Sequence, residues 1–360
     1  MDKVAIYGAQ GYALGACKAI KSLYPNREIM CFMVTSMGHN SNYLDNIPVR
    51  ETADVALELS DREKEELEIY VATPEDMQPE IEDTLCSYGF GNYKCLDSEG
   101  WGDLMKAWQL RDRDFLPLSA LPVGTDSPRV DIYMTKCHKD RELKKSRVLP
   151  DYIKPLQVGA CYTDCVLAEL ADNVGDNISE KNVNYSELTG LYWIWKNRLE
   201  EPAQKDCYVG LGHYRRILNF SEDEIMSLVN NDVDVVLPFP MPYEPDINAH
   251  HERYLKDVDW NALLTALGEL QPEYKECFPE VLSGQFMYNY NIVVAKQAVL
   301  REYCEWLFPI LERTEELSVP RGKDRSDRYI GYMGEILETL YFMKNAERLN
   351  VVHTTCRFYI

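Results

Sequence analysis

The sequence predicts an α/β protein of two successive units, each a sheet flanked by helices. Three observations carry that expectation. Short apolar strands alternate with helical stretches through residues 1–125, a Pro-bearing segment from Leu116 to Pro128 interrupts them, and strand character restarts in VDIYMTKCHK from Val130. The expected boundary lies near residue 126, dividing the chain into 1–125 and 126–360. A chain of 360 residues is long enough for two cores of ordinary size.

The first unit reads as a Rossmann-like parallel sheet. Val4 to Tyr7 is a short apolar strand, followed by Gly8, Gly11 and Gly15 and by a helix carrying Cys17, Ala19, Ile20 and Leu23. Ile29 to Val34 and Ile69 to Ala72 read as further strands. Glycines at a first strand-to-helix turn let a phosphate approach the helix-terminal amides, so Gly8, Gly11 and Gly15 are candidates for cofactor or nucleotide binding. Their spacing is looser than the dinucleotide fingerprint. The second strand ends in Val34, Thr35 and Ser36, where an NAD site would place an acidic residue for the ribose. NAD-dependent oxidation is therefore the weaker expectation, and a docking or regulatory module is an equal alternative to ligand binding.

The bulk numbers exclude some classes. A net charge of -21 gives long-range electrostatics the wrong sign for nucleic acid or an anionic membrane as main partner. Arg141 to Arg147, with Lys144 and Lys145, is the densest basic stretch, readable as a solvated face or as a peripheral lipid contact. Eleven cysteines follow no disulfide rhythm, which suits a reducing cytoplasmic compartment, and Cys161 and Cys165 lack the further ligands of a zinc site. The start MDKVAIYGAQGY is unlike a secretory signal, and no run is long enough to span a bilayer.

The densest chemistry lies between Asp172 and Arg216. DNVGDNIS brings Asp172, Asn173, Asp176 and Asn177 close together. Asn184 and Glu187 fit a capping box, so a helix is expected to begin near Tyr185 and to bury Leu188, Leu191, Tyr192 and Trp195 as one stripe. Cys207 to Leu211 reads as a strand running into His213, Tyr214, Arg215 and Arg216. Were it to stay extended, His213 and Arg215 would face one side and Tyr214 and Arg216 the other. Two guanidinium forks at the end of a buried strand suit phosphate or carboxylate, although pairing with carboxylates of this acidic chain is the plain alternative.

The ordered motifs DNxGDNIS, NxxxxELTGLYWxWKN and YxGLxHYRR resemble a glycosyltransferase-like domain of bacterial capsular and exopolysaccharide biosynthesis, long catalogued as a domain of unknown function. The resemblance runs from about Val130 to the C-terminus through DVDVVLPFPMPY, HHERYLKDVDW, NYNIVVAKQAVLREYCEWLFPIL and DRYIGYMGEILETLYFMKN. It implies a nucleotide-sugar transferase fold of the GT-A type for the second unit. It also implies sugar transfer from a nucleoside diphosphate donor, such as a UDP-sugar, to a glycan or lipid-linked acceptor. Some members are associated with galactofuranose transfer. A non-catalytic assembly role in a polysaccharide pathway is the competing reading.

Sugar transfer needs a stabilised leaving diphosphate and a base for the acceptor hydroxyl. Arg215, Arg216 and His213 are candidates for the first, with Asp172, Asn173, Asn177, Asn289 and Asn291 as further donor-binding residues. Asp172 and Asp176 are the candidates for holding Mg or Mn, since hard oxygen ligands suit those ions, while the same turn can be structural. Asp232 and Asp234 have the Asp-x-Asp spacing but lead into a strand. Glu335, Asp176 and His213 are the catalytic candidates, Glu335 being preferred as base over Glu187. His250 and His251 read as polar loop residues able to line the acceptor side.

Overall fold

The computed structural model describes residues 2–143, 148–204 and 206–359. The Lys144–Arg147 part of the basic stretch lies outside them. The chain forms two large sheets, and the α/β fold expected from the sequence is the fold found. In the first sheet, β1 (Asp2–Tyr7), β2 (Arg27–Val34), β3 (Ile47–Glu51), β4 (Glu68–Val71) and β5 (Tyr93–Cys95) are all parallel, in the order β3-β2-β1-β4-β5. Helix α1 (Gly11–Leu23) follows β1 and packs on α2 (Ser98–Asp112). At Gly8 the backbone has φ +119, and a Cβ would stand 2.8 Å from the carbonyl oxygen of Ala72, so the turn from β1 into α1 requires glycine.

The second sheet contains β6 (Arg129–Cys137), β7 (Ile153–Val158), β8 (Leu170–Ala171), β9 (Cys207–His213), β10 (Arg216–Leu218), β11 (Val235–Pro238), β12 (Val293–Lys296), β13 (Val351–Thr354) and β14 (Cys356–Phe358). Its main order is β13-β11-β12-β9-β6-β7-β8, with β12 antiparallel to both neighbours and the other pairs parallel. The chain leaves β6 for β7 and β8 on one side and returns as β9 on the other, so the strand order reverses at β6 and β9. In open α/β sheets, ligands bind outside the carboxyl ends of strands at such a reversal.

One face of this sheet is covered by α3 (Leu188–Arg198), α4 (Asp257–Leu270), α5 (Pro272–Leu282), α6 (Gln297–Leu317) and α7 (Tyr329–Lys344), which share the largest apolar core. Two features pin β9 in place. Gly210 approaches β12 so closely that a Cβ would lie 2.2 Å from the Val293 carbonyl oxygen. The Tyr208 hydroxyl donates to the Val233 carbonyl at 2.6 Å. The two sheets meet through α1 and α2: Gly11 and Gly15 lie against Met241 and Pro242, and Gly102 against Thr355. All eleven cysteines carry free thiols. Among the described residues no helix is long and apolar enough to cross a membrane.

Two local expectations are corrected. The helix near Tyr185 is a short turn of helix, Asn182–Tyr185, then a break at Ser186 with φ 51, then α3. Asn184 and Glu187 form no capping box, because longer-range partners take both side chains. The Asn184 amide donates to the carbonyls of Arg325 and Asp327, and the Glu187 carboxylate accepts from Asn291 and Arg328. The extended run through His213–Arg216 also ends early. β9 stops at His213, Tyr214 and Arg215 turn, and Arg216 pairs back against His213 as the start of β10. That turn ends the strand alternation on which the expected side-chain directions rested.

Candidate functional site

A crevice of about 240 Å³ opens at the carboxyl ends of β6, β7 and β9, at the strand-order reversal. Cys137, His138, Lys139 and Asp140 enter it from the end of β6, Val158 from β7 and His213 from β9. Ser186 and Glu187 form a second wall, with Arg328 across it. The Arg328 guanidinium donates to the Ser186 hydroxyl at 2.7 Å and to Glu187 at 3.1 Å. The Arg215 backbone N–H donates to Nδ1 of His213 at 3.3 Å, so a neutral His213 carries its proton on Nε2, where it is a donor. His138, Lys139, His213 and Arg328 thus supply cationic or donor groups to one concavity in a chain of net charge -21.

Asp172 lies beneath this crevice, not in it. Its buried carboxylate accepts from the backbone N–H groups of Gly159 (2.9 Å) and Ala160 (3.0 Å) and from the hydroxyls of Ser179 (2.6 Å) and Thr189 (2.8 Å). Those bonds fix the loop after β7 to α3 and so set the crevice floor. Asp176 is exposed on the neighbouring turn, where its backbone pairs with the Asn197 amide and its carboxylate accepts from Tyr192 at 3.2 Å. Asn177 closes the same turn through Gly175 and Ser179, and Asn173 is exposed. The expected pairing of Asp172 with Asp176 around a cation is therefore not the arrangement found: one carboxylate is saturated by four donors and the other looks outward. Among the described residues, no group of three or more His, Cys, Asp or Glu is placed to hold a metal ion.

The two arginines do not join His213. Arg215 donates to Asp76 at 2.8 Å, tying the β9–β10 turn to the first sheet. Arg216 enters a slot between the sheets, stacked on Tyr290 at 3.9 Å and Phe358 at 4.7 Å. Asp232 and Asp234 are bridged by Lys296, at 2.9 Å for Asp234, and sit before the amino end of β11, opposite the crevice. His250 and His251 are not loop residues. They end a short helix, Ile247–His251, with His250 on Tyr243 and the buried His251 stacked on Trp260, each with ring centroids 3.7 Å apart. Gly8 and Gly15 serve close packing. Gly11 borders a separate crevice of about 190 Å³ at the start of α1, where Arg253 donates to Gln10 at 2.7 Å.

A carboxylate network backs the crevice wall. Asn291 donates to Glu187 at 2.7 Å and Asn289 to Glu335 at 3.1 Å, while the Tyr243 hydroxyl donates to Asn289 at 3.2 Å. Tyr290 and Asn291 hold φ of 73 and 52, a region costly for side-chain-bearing residues. Burial and the Glu187 charge push Glu335 up to about 7, against the pull of its Asn289 bond. One turn along α7, both Glu338 oxygens are buried with no hydrogen-bond partner among the described residues, and burial pushes this carboxyl well above the usual range.

Sequence reasoning had not singled out His138, Lys139, Asp140 or Arg328. His138 and Lys139 end the segment read as a new strand from Val130 and Asp140 follows it, and the carboxyl end of a first strand is a signal that could have found them. Arg328 sits inside a quoted motif, but its placement depends on the fold bringing α7 beside Ser186.

With this geometry, the chain is similar to known proteins in two comparisons. The family model of a domain of unknown function, DUF4422, matches residues 132–346. The apo structure of the bifunctional glycosyltransferase WbbM superposes with a TM-score of 0.54 and 28% sequence identity, over 64% of this chain and 45% of that one. This chain thus spans less than half of WbbM. No curated protein matches it. The family match takes in more than half of the residues, including most of β6, the crevice walls and α7, and the chain therefore belongs to the family of proteins that carry this domain of unknown function.

Proposed function

We propose that the chain is a glycosyltransferase that takes a hexose from a nucleoside diphosphate donor and holds the donor's diphosphate in the crevice at the ends of β6, β7 and β9. The observation that carries this reading is the convergence of His138, Lys139, His213 and Arg328 at the strand-order reversal. Donors preorganised where charge develops on a leaving diphosphate act strongly in a partly desolvated site. Glu335 is the proposed base for the acceptor hydroxyl, because a carboxyl near neutrality is matched to proton transfer. Glu187 borders the crevice and Asn289 orients Glu335. The similarity to a bifunctional glycosyltransferase supports the reaction class.

The finer parts belong to the same proposal. The acceptor is a glycan or lipid-linked glycan of a capsule or exopolysaccharide pathway, met at most peripherally at a membrane, and galactofuranose is one candidate sugar. Residues 1–125 form a separate docking or nucleotide-binding unit, with Gly11 at its crevice. Calorimetry with UDP, with and without Mn, against NAD tests the reading. UDP is expected to bind, and Arg328→Ala to weaken it about tenfold or more with little change in melting temperature, since Arg328 is half exposed. Heat with NAD and none with UDP under either condition would overturn it.

A further inference from the structure

The slot between the two sheets holds a cation without a counter-charge. Among the described residues no carboxylate pairs with Arg216, and its Nε is buried without a hydrogen-bond partner. The ring centroids of Tyr290 and Phe358 lie within 5 Å of the guanidinium carbon, and the guanidinium also hydrogen-bonds the Tyr12 side chain, a neutral partner that leaves Nε unpaired. Ring contacts stabilise a guanidinium, but they leave in-plane N–H groups such as Nε–H to be satisfied in another way. A guanidinium stays charged when buried, so an unbalanced one is costly unless something pairs with it. Arg325, whose side chain is buried among the helices of the second sheet, shows the contrast: Asp259 and Asp327 both pair with it.

We infer that the Arg216 slot is an anion-binding subsite, separate from the crevice, that takes a single carboxylate or phosphate group of a ligand entering between the two sheets. The slot is narrow, about 40 Å³, which suits one anionic group rather than a whole nucleotide. Asn289 and Cys356 line it with Tyr12 of α1, so the lining comes from both sides of the slot. Tyr290 lines it and carries Arg216, and the next residue, Asn291, also in the left-handed region, holds Glu187 on the crevice wall. Backbone strain of this kind persists where the surroundings over-determine it, and here it spaces two charged sites a residue apart in sequence. The subsite does not depend on the sugar-transfer reading, because it rests on a different cation in a different cavity.

The test follows the arginine Nε–Hε resonances of the unmodified protein by NMR during titration with inorganic phosphate in one arm and acetate in the other. Arg216→Gln assigns the resonance, and Arg216→Lys does so if the Gln variant fails to fold. The expected result is a saturable shift of the Arg216 resonance that persists in Arg328→Ala. Saturation by phosphate alone marks a phosphorylated ligand, and saturation by acetate as well marks an acidic sugar. No shift, a shift equal to that of the surface arginines, or one lost in Arg328→Ala would overturn the subsite.

Discussion

Replacing Glu335 by Gln isolates the carboxyl on which the proposed chemistry turns. Its value rises from 4.5 to about 7 in the folded protein, a gap of about 3 kcal/mol. Between these values the folded chain holds a proton that the unfolded chain releases, so this group stabilises the fold at low pH. The stabilisation is complete below the unfolded value and is lost as pH rises towards and through about 7. An amide in its place does not titrate. The stability of Glu335→Gln relative to the parent should therefore grow by roughly 2.5 kcal/mol between about pH 5 and about pH 8. Paired urea unfolding of the two proteins at both pH values reads this, because titrating groups that do not interact with Glu335 cancel in the difference, whereas Glu187 and Glu338, which do, enter it. A pH-independent difference would show that Glu335 ionises as an ordinary exposed carboxyl, and would remove it as a near-neutral base. Transfer by the parent should rise with pH through about 7 in the same window, and the variant should lose that limb.

Three further outcomes follow from the packing. Asp172→Asn turns one acceptor oxygen into a donor facing a cluster of donors and should cost about 2–4 kcal/mol in urea unfolding; an unchanged midpoint would mean the loop after β7 does not depend on it. Gly210→Ala should abolish soluble folded protein, whereas Gly268→Ala, inside α4 with nothing nearer than 4.0 Å, should leave stability equal or raised by up to about 1 kcal/mol by thermal melting. The double substitution Asp232→Asn with Asp234→Asn should leave UDP affinity in the presence of Mn unchanged by calorimetry, because Lys296 already holds both carboxylates away from the crevice.

Strands and sheet class were legible because they depend on local apolar runs: Val4–Tyr7, Ile29–Val34 and Cys207–Leu211 all lie within strands, and the new start at Val130 is β6. The family-like motifs were legible as important but not in their roles. DNVGDNIS reads as ligand chemistry because Asp and Asn are frequent ligands, yet the same side chains satisfy backbone N–H groups equally well, and the fold supplies Gly159, Ala160, Ser179 and Thr189 to Asp172. The adjacency of Arg215 and Arg216 misled in another way. Sequence neighbours need not share a site, and the turn sends one side chain to Asp76 and the other to Tyr290. Arg328 could not be read at all, since its meaning comes from a partner 142 residues earlier in the chain.

The last strands of the chain have a practical consequence. β13 and β14 follow the family match, yet β13 covers the open side of β11 and β14 pairs with β10. A shortened version cut at residue 346 would bare a row of backbone N–H and C=O groups along Val235–Pro238, ready to zip onto a neighbouring molecule. Expression trials that trim to the matched segment would thus yield aggregates, and an inactive preparation of that kind would say nothing about the chemistry of the whole chain.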